Sequence, residues 1–117
     1  MFSLDSTFRV LGDSTRLRIL NLLSRGEQPV GDLILALNLP QSSISQHLNA
    51  LREAGMVEDH RRGKQRYYSL KKPRSRAQSK ILGVVRECCG ELASYRRNLW
   101  RLERLRPRVK PLIQLDA

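Results

Sequence analysis

Cysteine and histidine are scarce in this chain of 117 residues, which holds two of each. Two cysteines cannot build a disulfide framework, which points to a reducing, cytoplasmic setting. Neither histidine lies near a cysteine in sequence, HExxH does not occur, and no glycine-rich loop suits a phosphate. The usual marks of an enzyme are therefore missing. Phe, Tyr and Trp together number six, and Tyr67-Tyr68 form no stacking platform of the kind single-strand RNA binders use. No apolar run approaches the roughly 18 residues of a membrane span, and no secretory signal opens the chain, so no membrane partner is expected. Repeats and low-complexity linkers are also absent. The length suits one compact domain with a modest core.

Acidic residues are missing from one region in particular. Residues 1–60 carry five basic and seven acidic side chains, a net of −2, whereas residues 61–117 carry seventeen basic and four acidic, a net of +13; together these give the formal +11. Within 61–80, RRGKQRYYSLKKPRSRAQSK, nine residues are Lys or Arg and none is acidic. A field this one-sided favours a polyanion.

The apolar pattern predicts a mainly α fold with a small β-hairpin. Leu4, Phe8 and Leu11 recur at helical spacing and stop at Gly12; Asp13 can cap the next helix, STRLRILNLLSRG, which Gly26 ends. After Pro29 comes a short apolar helix, VGDLILALN, and a tight break at Asn38-Leu39. Pro40 suits the first turn of a helix closed by Gly55. MVEDH and RYYSL then bracket RRGKQ as a hairpin with Gly63 in its turn. From about Arg74 to Arg106 the chain reads as helix, which bends or splits near Gly90. The domain spans 1–106, and 107–117 forms a C-terminal tail.

The two short helices at 30–38 and 40–54 form a helix-turn-helix. With Ile44 at zero and about 100° per residue, Leu48 and Leu51 fall within about 40° of it and make a buried stripe. Ser42, Ser45, Gln46 and Asn49 share an uncharged polar arc between about 100° and 200°. A face that only meets water usually carries Lys and Glu, which favour helix. Short hydroxyls and amides suit base edges and phosphates in a major groove. Candidate DNA contacts are therefore Gln41, Ser42, Ser43, Ser45, Gln46, His47, Asn49 and Arg52 on the helix. Arg61, Arg62, Lys64 and Arg66 on the hairpin supply the charge. His47, about 60° from Ile44, reads first as a partly buried histidine and second as a phosphate contact. His60 reads as structural.

Taken together, the DxTRLRIL opening, the SxxSQHLxxLxxAG core and the RxGxxxYYxL hairpin make Leu11 to Leu70 resemble the ArsR/SmtB family of winged-helix repressors. The resemblance implies a winged helix-turn-helix, dimeric through the first and last helices. It implies a homodimer on palindromic double-stranded operator DNA that lets go when an effector binds, with half-sites about one helical turn apart. The dimer surface would use Phe8, Leu11, Ile81, Leu82, Val85, Leu92, Leu99 and Leu102. The same positions can instead be the internal core of one chain. Arsenic-sensing relatives often carry Cys-x-Cys in the third helix, where Pro29 and Gly31 stand here. Zinc-sensing relatives often place Asp and His on the last helix, which here has neither.

The two cysteines are adjacent, Cys88-Cys89, in VRECCGEL. Neighbouring Cα atoms lie about 3.8 Å apart, whereas disulfides span about 4.4–6.8 Å, so a bridge between them would be strained. Soft thiolates favour soft ions, and adjacent thiols can chelate a trivalent arsenic or antimony species. Arg86 would aid thiolate formation. Arsenite itself takes three sulfurs. Two suffice for a methylated arsenical; otherwise the partner chain or a water-derived ligand completes the site. Thiol oxidation or persulfidation and simple packing as small hydrophobes are the alternatives. No obligatory cofactor is expected.

Overall fold

The computed structural model describes residues 4–89 and 93–105. Its elements, in chain order, are α1 (Leu4–Leu11), α2 (Ser14–Leu23), β1 (Gln28–Pro29), α3 (Val30–Leu37), α4 (Gln41–Glu53), β2 (Val57–Arg62), β3 (Gln65–Leu70), α5 (Arg76–Cys89) and α6 (Ala93–Leu105). Asp13 caps α2, accepting from the amides of Thr15 at 2.8 Å and Arg16 at 3.2 Å. Asn38 ends α3 in the left-handed region, at φ 55°, with its amide bonded to Ile34 O. An asparagine tolerates that conformation better than most residues. Pro40 then starts α4.

β2 and β3 pair antiparallel from Val57↔Leu70 to Arg62↔Gln65, leaving Gly63 and Lys64 as a two-residue turn. Gly63 sits at φ 61°, as the first position of such a turn requires. The strands run longer than the sequence pattern suggests, because the arginines read as loop continue the ladder. Gln28-Pro29 adds a third strand to β3, in the order β1-β3-β2. Pro29 lies at the sheet edge, where its missing N–H breaks no ladder.

Of the helix expected over 74–106, Arg76–Cys89 and Ala93–Leu105 are helical. Gly90 and Leu92 lie outside the described residues, as do Arg106 and the tail. Ile19, Leu22, Leu33, Ile44, Leu48, Leu51, Met56 and Val57 are the largest fully buried apolar side chains, and Leu99 and Leu102 of α6 join the same core. Asn98 and Arg101 of α6 donate to Ala36 O at 3.2 and 3.3 Å. They satisfy a carbonyl at the end of α3 that the helix itself leaves without a donor. The helix-turn-helix is thus held from behind by α2 and α6, with α4 and the hairpin at the front.

Candidate nucleic-acid interface

Burial of Ile44, Leu48 and Leu51, all at 0% exposure, fixes the rotation of α4. Gln41, Ser42, Ser45, Gln46, Asn49 and Arg52 face solvent, while Ser43 and His47 are half-buried. Arg52 Nη2 donates to Asn49 Oδ1 at 2.6 Å, and Asn49 Nδ2 to Glu53 Oε1 at 3.4 Å, so the far end of the face is already linked. Gln41, Ser42, Ser45 and Gln46 form a short uncharged platform at the near end.

His47 braces α4 against α2. Its Nδ1 accepts from Arg16 Nε at 3.1 Å and lies 3.9 Å from Asp13 Oδ1, with the side chain 18% exposed.

Exposure is shared by Arg61, Arg62, Lys64 and Arg66 of the wing, but the four are not equally free. Arg66 contacts Asp59 Oδ2 closely, and Arg52 Nη1 lies 3.6 Å from Asp59 Oδ1. Asp59 therefore joins the wing to α4. Arg62 pairs with Glu27, lies 4.4 Å over the Tyr67 ring and donates to His60 Nε2 at 3.0 Å. His60 Nε2 also lies 3.0 Å from Glu27 Oε2. Arg61 and Lys64 have no ion pair among the described residues. Tyr68 faces Asp59 across the ladder; burial first, and then the Asp59 charge, push its phenol above the ordinary value.

Glu27, Asp59 and Arg16 were missed by the sequence pattern. Two acids before a basic hairpin give no hint of which arginines they hold. The hairpin pairing could have placed Asp59, since alternation puts it on the same face as Val57.

Cys88 is exposed near the end of α5, and Cys89 ends that helix with its side chain outside the described part. No cluster of three or more His, Cys, Asp or Glu suited to a metal occurs among the described residues. Of the apolar positions assigned to a dimer, Phe8 is 56% exposed, Ile81, Leu82 and Val85 are half-buried, and Leu11, Leu99 and Leu102 are buried within the one chain. Leu92 lies outside the described residues. Leu4 on α1, which the helical repeat included but the dimer surface did not, and Val84 on α5, which the pattern did not single out, are also exposed apolar side chains. No described helix is long and apolar enough to cross a membrane.

A family model described as "Bacterial regulatory protein, arsR family" matches residues 13–59, from the α2 cap into β2. The transcriptional repressor SdpR of Bacillus subtilis (strain 168) is 42% identical over 67 residues, 57% of this chain and 74% of that protein. The arsenical resistance operon repressor of Escherichia coli (strain K12) is 48% identical over 64 residues, 54% of this chain and 55% of that protein. Against that repressor the chain spans about half the relative's length. The solution structure of the homodimeric winged helix-turn-helix DNA-binding domain Mb0332 from Mycobacterium bovis is similar at TM-score 0.60 and 27% identity, covering 76% of this chain and 80% of that one.

Proposed function

Since this chain belongs to the arsR family of bacterial regulatory proteins, transcriptional regulators and not enzymes, we propose that it is a repressor that binds palindromic operator DNA as a homodimer and is released when a trivalent arsenical engages Cys88 and Cys89. The observation that carries the DNA-binding part is the solvent-facing Gln41, Ser42, Ser45 and Gln46 platform on α4 beside a wing with two unpaired cations. Short uncharged side chains can approach base edges without a desolvation penalty for charge, and Arg61 and Lys64 neutralise phosphates alongside. Ser43, His47, Asn49 and Arg52 flank that platform.

Support for the dimer comes from exposed Leu4, Phe8 and Val84 on α1 and α5, two helices that pack together. The homodimeric neighbour shares the fold. Support for the effector comes from an exposed thiol at Cys88, a neighbour of the same chemistry at Cys89, and the similarity to a repressor of an arsenical resistance operon. With two thiols per chain, a monomethylated arsenical is satisfied within one protomer, and arsenite needs a third ligand from the partner or from water. Release follows only if the ligand binds one dimer geometry more tightly than the other.

The test is an operator-release assay with arsenite, methylarsenite, antimonite, zinc and peroxide. Methylarsenite should release wild-type protein at micromolar concentration, and Cys88→Ser/Cys89→Ser should bind operator as wild type does yet stay bound. Undiminished release from the double variant would remove the thiol site from the account.

A further inference from the structure

A cavity of about 250 Å³ opens between the end of α2, the link that follows β3, and α5. Leu20, Leu70, Leu82 and Val85 supply an apolar lining, beside Ser24, Pro73 and Ser79. Lys71, Lys72 and Arg86 also line it, and no carboxylate is among its described lining residues. None of these three cations has an ion pair among the described residues. The backbone at Lys71 is fixed, since its N–H donates to Met56 O at 2.9 Å.

Three like charges beside an apolar lining repel one another, and an anion seated between them relieves that repulsion. Inorganic phosphate would answer the cations but leave the apolar lining wet. A neutral apolar molecule would cover that lining but leave the charges without a partner. An amphipathic anion meets both requirements, as ligand sites that combine apolar walls with a few polar groups generally do. We propose that this cavity binds a small organic carboxylate with an apolar body, its carboxylate held by Lys71, Lys72 and Arg86 and its body on the leucine and valine lining. Cys88 is not among the described residues that line the cavity. The cavity joins the base of the wing to α5, so occupancy bears on both the DNA-facing and the dimer-facing parts of the proposed repressor.

Calorimetric titration of the full chain with sodium octanoate tests this. Saturable binding at one octanoate per chain is expected. Octan-1-ol and inorganic phosphate should each bind at least about tenfold more weakly, because each lacks one of the two complementary features. Lys72→Gln/Arg86→Gln should lose at least about tenfold for octanoate, consistent with the loss of charge-assisted bonds, and both positions are exposed, so an unchanged melting curve is expected. Cys88→Ser should bind octanoate as wild type does, which separates this site from the arsenical reading. No saturable heat, octan-1-ol or phosphate binding as tightly as octanoate, or a double variant that binds like wild type would overturn the assignment.

Discussion

Asp13 carries more than a helix cap. Burial alone would raise its pKa. The amides of Arg16 and Thr15, with the positive charges of His47 when protonated and of Arg16, outweigh that and hold the carboxyl below its ordinary value of 3.8. A carboxyl whose pKa is lower in the folded chain than in the unfolded one adds stability above the unfolded value. That stability fades as the pH falls through the folded value. Asp13→Ala should therefore cost about 1 kcal/mol at neutral pH, the usual size of a lost cap, or roughly 4 °C in melting temperature for a domain of this size. The gap between variant and wild type should narrow as the pH is taken from about 4 downward, a window set by the ordinary carboxyl value. Thermal melts from pH 7 to pH 3 check this, and a gap of constant size across that range would contradict it. The cap was legible in the sequence as Asp before an apolar run. The brace from Arg16 to His47 was not, because the two are 31 positions apart and meet only once α2 packs on α4.

Among the elements, those bounded by local chemistry were the readable ones. Asp13, Pro40, Gly55 and Gly63 mark ends that need no tertiary context, and the observed helices and the hairpin turn agree with them. β1 could not be read this way. Gln28-Pro29 is too short to have a period and is a strand only because Tyr67 and Tyr68 lie beside it. The burial of Leu99 and Leu102 was anticipated only as an alternative to a dimer surface, because an apolar stripe does not say which face will cover it.

The wing and α4 share one carboxylate. The Asp59 side chain, 9% exposed, faces two arginines that are about half exposed, Arg52 and Arg66. Breaking a fully buried pair costs about 3–5 kcal/mol, but solvent screens these arginines, so Asp59→Asn should cost only about 1–2 kcal/mol. It should also release both guanidinium groups, and binding to random duplex should steepen in its salt dependence by about 1–2, at roughly 0.9 per added phosphate contact. Salt titrations of both proteins decide this; an unchanged slope would mean that the arginines already leave Asp59 when DNA binds.

Across the whole molecule, charge is divided unevenly between regions. The first 60 residues, which include the uncharged platform on α4, have a net charge of −2, and the remainder has +13. On the proposed function, attraction to DNA would come mainly from one part of the chain and base discrimination from another. The two contributions can be removed separately, which is how the central claim is best tested. The measurement is equilibrium binding to a palindromic duplex selected from a random pool and to a scrambled duplex, each over a range of salt, for two variants. Ser45→Ala/Gln46→Ala should weaken the selected duplex by about 1–3 kcal/mol and leave the scrambled one nearly unchanged. Arg61→Ala/Lys64→Ala should weaken both and flatten the salt slope by about 2. Equal losses on both duplexes for the Ser45 and Gln46 variant would contradict the placement of α4 against the bases.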